Sequence, residues 1–508
     1  FVNIKSFTNF TFYCRDRQSP ALERGNGMRE RKYAISKWPD HEEILKKLNA
    51  LVERPMVRIK PERAKEYEEY FAVKCRKSRA MTDRAKAFIP GGVQHNLAFN
   101  YPFPLAMAKA EGAYLYDIDG NRYIDFLQAG GPTLLGSNYK PLREKVLELL
   151  NDCGPVTGLF HEYELKLAEL INEYMPSVEM FRMLGSGTEG NIAAIRLART
   201  HTGKKKVIKV GGAYHGWSDQ LVYGLHIPGT GDFEAHGIPK GCLADTQEVF
   251  PNDIDGLRKL MEENEKDGGT AAVLLEPVGP ESGTRPIYKE YNQQVRELCD
   301  EFGALLIFDE VVTGFRLGLG GAQGYFGVEP DLTVFGKVLT GGYPAAGGLG
   351  GKREIMTGLA AGIEGTKKRA YVGGTLSANP LSCVAGYYTL KAIAETDAPV
   401  KAGLAGDRLT AGLNKLIEKY DLPFVAYNQG SICHLETTGV MFVDIRKPDF
   451  MREIGMRKRG MEIMGAAYTA EGMITLAGSR MYTSLADTDE VIDDALSRFE
   501  RIFAAIEV

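Results

Sequence analysis

From about residue 140 to 385, short apolar runs alternate with stretches of helical period. Ala271 to Leu275 (AAVLL) and Ala304 to Phe308 (ALLIF) are five-residue runs without polar alternation, the pattern of parallel strands covered on both faces. Between them Tyr288 to Phe302 places apolar residues at helical spacing, which predicts a βαβ unit. Phe181 to Leu184, Lys206 to Val210 and Asp331 to Phe335 are further short apolar runs. A helix is predicted after the first, with Ile192, Ile195 and Ala198 on one face and Gly203 as its stop. Upstream, Glu111 to Asn121 alternates apolar and polar residues and reaches Asp119-Gly120-Asn121, a hairpin signature. From about residue 386, helices mix with short strands such as Gly439 to Ile445, predicting a smaller α+β domain. Asp40 to Lys77 is charged and helical in pattern, broken at Pro55 and Pro61, and reads as a solvated arm packed on the rest of the chain or on a partner subunit. These patterns give an α/β chain with an N-terminal, basic, largely helical extension (1–84), a small-domain part (85–140), a large domain (141–385) and a C-terminal small domain (386–508).

Composition changes this picture in one respect. The 508 residues are 44% hydrophobic and 25% charged, those of a globular chain. Glycine, at 58 residues, exceeds its usual share of about 7%. No Gly-X-Y period runs through the chain, which excludes collagen, so the glycines serve particular backbone positions. The net charge of −4 argues against a nucleic-acid partner, although residues 1–84 carry an excess of basic groups. The seven cysteines form no CxxC and no metal-ligand spacing, which predicts free thiols, no metal and a reducing compartment. No apolar stretch approaches a membrane span, and the start lacks a secretory h-region, so a cytoplasmic location is expected, with an organellar transit segment left open. Residues 1–27 precede the first methionine, Met28, and read as an upstream segment.

Gly185-Ser186-Gly187-Thr188-Glu189-Gly190 follows the Phe181 to Leu184 run and opens the predicted helix. Its G-x-G-x-x-G spacing suggests a dinucleotide fold, but that fold needs an acid at the end of the next strand. That strand, Lys206 to Val210, runs into Gly211-Gly212-Ala213. What survives is a phosphate cradle at a helix N-terminus, with the hydroxyls of Ser186 and Thr188 as added donors. Three further signals sit at predicted strand ends: Glu276, Asp309-Glu310, and Lys337 before Gly341-Gly342. A phosphate cradle, a strand-end aspartate and a Gly-flanked lysine, in this order, match the needs of pyridoxal phosphate (PLP). The lysine carries the cofactor as an imine, and the aspartate keeps the pyridine nitrogen protonated. Tyr214, in Tyr214-His215-Gly216-Trp217, supplies an aromatic to stack on the ring.

These residues resemble the class III (subgroup II) aminotransferases of PLP fold type I, in particular their glutamate-1-semialdehyde 2,1-aminomutase-like branch. The resemblance runs through Gly91-Gly92-Val93, Tyr116 to Asn121, Ser186 to Glu189, Tyr214-His215-Gly216, Glu276-Pro277, Asp309 to Arg316, Gly336-Lys337 and Gly374 to Pro380, covering about residues 85–505. It implies a large, mainly parallel-sheet domain and a small α+β domain built from both chain ends. It implies that Lys337 is the imine lysine and proton shuttle and that Asp309 pairs with the pyridine nitrogen. Val311 would pack on the ring face opposite Tyr214, while Ser186, Gly187 and Thr188 would hold the phosphate. His215 belongs to the cofactor-contacting motif, and Glu276 would orient groups near the 3′-oxygen. Thr375 would reach the phosphate of a neighbouring subunit, implying a homodimer with shared sites.

The chain departs from the aminomutase pattern at two places. After the Pro-Gly-Gly-Val turn it has Gln94-His95-Asn96 where that branch carries a carboxylate-binding arginine, whose bidentate fork histidine cannot reproduce. The late glutamate before Ser484-Leu485-Ala486 is missing; Gly478-Ser479-Arg480 stands there. His95 and Asn96 are expected to face the substrate, and Arg480 is either a carboxylate anchor or a structural arginine. The expected activity is transamination from an amino acid or amine to a keto acid. Intramolecular amino transfer and racemisation remain as alternatives. A non-catalytic regulator would be expected to lack Lys337 or Asp309, and both are present.

Overall fold

A computed structural model describes residues 33–98, 100–360, 368–476 and 478–507. The segment 1–27 lies outside the described residues, which form one compact unit.

The central element is a seven-stranded sheet of β1 (Met180–Leu184), β2 (Lys206–Val210), β3 (Thr246–Val249), β4 (Thr270–Leu275), β5 (Leu305–Asp309), β6 (Leu332–Phe335) and β7 (Gly347–Gly351). Their order is β1-β7-β6-β5-β4-β2-β3. β2 to β6 pair in parallel, and β7 runs antiparallel to both β1 and β6. Every residue of β4, β5 and β6 is buried, as expected of runs with apolar residues on both faces. One face is covered by α1 (Gly187–Thr202), whose Ala194, Ile195 and Ala198 pack with Val207, Leu274 and Ile307. Helices Ile254–Asn264 and Tyr291–Phe302 cover the other, through Leu257, Val295 and Leu298 against Val273 and Leu306. β7 is glycine-rich because it passes between crowded neighbours: a Cβ on Gly347 would lie 2.2 Å from the Ser186 carbonyl oxygen.

A smaller four-stranded sheet joins both ends of the chain. The hairpin Tyr114–Asp117 and Arg122–Asp125 forms where the Asp-Gly-Asn turn predicts it, and Met473–Ile474 adds in parallel to its second strand. Helix His41–Glu53 stops just before Pro55, and helix Pro61–Lys74 begins at the second proline. They pack on the rest of the chain, one of the two placements expected: Arg58–Ile59 pair with Ile506–Glu507, and Tyr67 lies in one core with Phe424, Tyr468 and Phe499. The strand expected over Gly439 to Ile445 does not form. Gly439 takes a left-handed conformation (φ 63°), and Val440–Phe442 turn as a 3-10 helix, so the apolar run is buried without extended pairing.

Candidate functional site

The chemistry-bearing residues gather at the carboxyl ends of the parallel strands, where open α/β sheets place their ligands. Ser186 caps α1: its Oγ accepts the N–H of Glu189 at 3.3 Å, and its carbonyl accepts that of Gly190 at 3.0 Å. The carboxylate of Glu189 turns back to accept the N–H of Gly185 at 2.9 Å. The first-turn N–H groups of Gly187 and Thr188 have no carbonyl within the helix and are left for an anion. Gly216, at φ 87°, brings the Tyr214-His215-Gly216 segment onto this turn; a Cβ there would lie 2.2 Å from Thr188 Oγ1.

Asp309 ends β5 and is buried. Its Oδ2 accepts from Asn191 Nδ2 and from His215 Nδ1, both at 2.8 Å, and its Oδ1 accepts the N–H of Val311 at 3.0 Å. Burial holds His215 below its usual imidazole range, against the pull of Asp309, which disfavours a second proton on the ring. Because its Nδ1 carries the donated proton, Nε2 is a bare acceptor; it is buried and has no partner. Val311 sits between cradle and lysine: a Cβ on Gly187 would reach its Cγ2 at 2.6 Å and one on Gly336 its Cγ1 at 2.9 Å.

Lys337 follows β6 closely and takes φ 44°, an unusual conformation for a side-chain-bearing residue. Burial lowers its pKa, with Asp309 acting in the opposite sense and Arg480 reinforcing the fall. Its stem passes Gly131, where a Cβ would stand 3.5 Å from Lys337 Cδ and 3.4 Å from Tyr482 Cζ. The Gly131 carbonyl is held by Arg316 Nη2, which also donates to Gln128 Oε1 at 3.2 Å, while Nη1 donates to Ser431 Oγ at 3.0 Å. Arg316 is wholly buried and fixes the wall beside the lysine.

Glu276, at the end of β4, is pushed up to about 7 by burial and by nearby Asp309. Its Oε1 accepts the N–H groups of Tyr214 (3.0 Å) and Glu281 (2.8 Å), and its Oε2 accepts the Ser282 hydroxyl at 2.7 Å. Glu276 thereby ties the Tyr214 segment to the tight 280–283 turn, in which Glu281 and Ser282 adopt φ 43° and 47°. Glu281 in turn covers Arg480: the guanidinium donates to its carboxylate at 2.5 Å and to its carbonyl at 2.9 Å. His95 and Asn96 are exposed, and His95 Nδ1 accepts the N–H of Leu97 at 3.0 Å. Thr375 is exposed as well; its neighbour Gly374 lies near Glu189 of the same chain.

Comparison with known proteins fits this geometry. The family model for aminotransferase class-III matches residues 98–503. The chain belongs to the class III aminotransferases. It is 41% identical over 375 residues to a glutamate-1-semialdehyde 2,1-aminomutase of Chlorobium limicola, covering 73% of this chain and 85% of the relative. A solved ω-transaminase from Sphaerobacter thermophilus superposes with a TM-score of 0.73 at 28% identity, over 84% of this chain and 97% of the other. A glutamate-1-semialdehyde aminomutase of Pseudomonas aeruginosa, solved in complex with PMP, shares the fold with a TM-score of 0.75 at 21% identity, over 91% and 99% of the two chains. This class III enzyme is therefore a PLP-dependent protein of fold type I.

The residues present fit that cofactor. The open first turn of α1 suits a phosphate, and Asp309 retains acceptor capacity beyond the three donors it already holds. Tyr214, 44% exposed, offers a ring face. Two participants were not legible in the sequence of this class III chain. Asn191 stands one turn after Gly187 on α1, and that spacing could have pointed to it. Glu281 lies five residues after Glu276, but its contact with Arg480 depends on the 280–283 turn, which no local pattern announces. Among the described residues there is no cluster able to hold a metal ion, and no helix long and apolar enough to cross a membrane.

Proposed function

We propose that the chain catalyses transamination, moving an amino group from a small amino acid or amine to a keto acid. The carrying observation is the buried Glu281–Arg480 pair beside Lys337. A transaminase must admit two different molecules in turn to one pocket. With Glu281 in place, Arg480 is neutralised and the pocket suits a substrate end without charge. With Glu281 turned aside, Arg480 offers a bidentate fork to a carboxylate. A reaction that keeps one molecule throughout has no need of such a cover.

PLP, when bound, draws electrons from the carbon that bears the amino group. Ser186, Gly187 and Thr188 would anchor the phosphate, and Asp309 would keep a proton on the pyridine nitrogen. His215 and Asn191 donate to Asp309 and hold its carboxyl in place for this task. Tyr214 and Val311 would lie on the two faces of the ring. Lys337 would carry the cofactor, and burial favours the uncharged form of its Nζ, which as a free amine would be able to take a proton at one carbon and return it at another. Glu276 orients Tyr214 and the Glu281 turn. His95 and Asn96 are placed by this reading at the substrate mouth: Leu97 packs on Gly130, next to the glycine that lines the Lys337 stem.

A second reading, intramolecular amino transfer, is favoured by the 41% identity to the Chlorobium limicola aminomutase. Purified holoenzyme mixed with amino donors and no keto acid separates the two. Stoichiometric bleaching of the cofactor's visible band with release of a keto product supports transamination. Sustained turnover to an isomer of the donor without an acceptor overturns it in favour of the mutase, and loss of chirality alone points to a racemase.

A second copy of the chain completes this reading. Leu159, Phe160, Tyr371 and Leu376 are 78%, 77%, 73% and 54% exposed. The 159–161 and 376–378 segments are drawn together by His161 Nε2 on the Ala378 carbonyl at 3.1 Å. An apolar surface of this kind calls for a partner, and Thr375 lies within it. Sedimentation is expected to give a dimer; a monomer at micromolar concentration would overturn the shared-site arrangement.

A further inference from the structure

Lys209 lies on β2, and no part of it reaches solvent. Its Nζ donates to three backbone carbonyls, those of Tyr223 at 2.6 Å, Ala213 at 2.9 Å and Leu221 at 3.2 Å. Three donors meet three acceptors, so the ammonium is fully used. All three carbonyls belong to the irregular loop that leaves β2 and carries Tyr214 and His215. The base of this loop is closed by the Gly212 N–H on the Gly224 carbonyl at 2.7 Å.

A buried lysine is a costly way to close a loop. Among the described residues no carboxylate lies within ion-pair distance of Lys209. The opposing charges that face it are Glu248 from β3 and Glu276 from the end of β4. His215, on the loop itself, is the titratable group on the side of Asp309. Burial pulls Lys209 down to about 8. A well-packed apolar side chain would serve stability at least as well as an isolated buried charge. The position of Lys209 behind the cofactor-facing loop supplies another reason for it.

We propose that Lys209 is a positioning residue for the cofactor site, holding the 213–223 loop so that Tyr214 and His215 meet the ring and Asp309, and setting an ammonium behind His215. This rests on reading Ser186 to Thr188, Asp309 and Lys337 as the cofactor site. The charge works in the same direction as burial on His215, disfavouring a second positive charge on its imidazole. Asp309 is then left as the negative group facing the ring. The three carbonyl contacts fix the backbone from which Tyr214 donates its N–H to Glu276, so one side chain orders two cofactor neighbours.

Two variants separate geometry from charge. K209M keeps length and volume and loses both the donors and the charge. K209R keeps the charge, but its planar fork cannot serve three carbonyls converging on one point. Three readouts apply: hydrogen exchange of residues 213–223 in the apoprotein, the PLP dissociation constant, and the pH titration of the bound cofactor's visible absorbance. For K209M we expect loop exchange at least tenfold faster, a PLP dissociation constant raised about tenfold, in line with lost hydrogen bonds to a charged group, and a displaced absorbance titration. For K209R we expect the fast loop with a titration close to wild type. A K209M protein with wild-type exchange, affinity and titration overturns the proposal. Faster exchange with unchanged affinity and titration also overturns it, by showing a role in folding alone. Should K209M not fold, K209R decides: wild-type loop exchange and PLP affinity there overturn the proposal. If the wild-type protein fails to bind PLP at all, the cofactor reading has failed instead, while the apoprotein exchange still reports on the Lys209 clamp.

Discussion

Replacing Asn191 tests how the acid beneath the ring is held. Asn191 is 1% exposed, and its Nδ2 donates to Asp309 Oδ2 at 2.8 Å and to the His215 carbonyl at 3.2 Å. Asn191→Ala removes one hydrogen bond to a buried carboxylate, worth about 1.5–3 kcal/mol. At about 1.4 kcal/mol per tenfold, this corresponds to a loss of roughly 10–150-fold, shared between PLP affinity and kcat/KM. Asn191→Asp sets a second carboxylate at hydrogen-bond distance from Asp309 and should cost more, because two charges this close cannot both persist. The assay is PLP binding by fluorescence titration of the apoprotein, with kcat/KM for the best donor and a melting curve as the folding control. An Asn191→Ala protein within twofold of wild type in both affinity and kcat/KM would refute the role of the Asn191–Asp309–His215 network in holding the cofactor.

Glu281→Gln leaves Arg480 without its covering charge, so KM for substrates bearing a second carboxylate should fall about tenfold and KM for uncharged amine donors should rise; steady-state kinetics with one donor of each kind checks this. Gly216→Ala should weaken PLP binding at least tenfold, because its Cβ would lie 2.2 Å from Thr188 Oγ1 in a backbone region that costs a side-chain-bearing residue roughly 1–2 kcal/mol; spectroscopic titration of cofactor into the apoprotein reads it. Burial pushes the Asp487 carboxyl up to about 7. Between roughly pH 4 and 7 the folded chain keeps that proton while the unfolded chain releases it, so stability is full at low pH and falls as pH rises towards 7, by on the order of 4 kcal/mol. Asp487→Asn should remove this slope, giving a Tm near wild type at about pH 4 and above it at pH 8.

The large sheet was legible because its strands are short, apolar and bounded by turn residues: AAVLL and ALLIF became β4 and the first part of β5 with nearly the expected limits. The cradle, Asp309 and Lys337 were legible because each sits at or just after the end of such a strand, so chain order alone carries them to one edge of the sheet. What the sequence hid depends on contacts far apart in the chain or on unusual backbone. Glu281 meets Arg480 across 199 residues through a turn of two left-handed residues. Helix Pro61–Lys74 read as an arm packed on the rest of the chain or on a partner, but its many charges masked which residues pack: Tyr67 and Phe71 are buried against the C-terminal elements. Gly439 to Ile445 read as a strand because buried apolar runs look alike whether extended or turned, and only the left-handed Gly439 decides between them.

The central claim is that Lys337 carries the cofactor, and covalent trapping tests it most directly. Holoenzyme is reduced with borohydride, digested, and mapped by mass spectrometry for the pyridoxyl adduct. We predict a single labelled site, Lys337, at one equivalent per chain, and no turnover in Lys337→Ala. A label on the wholly buried Lys209, or a Lys337→Ala protein that still turns over, would contradict it.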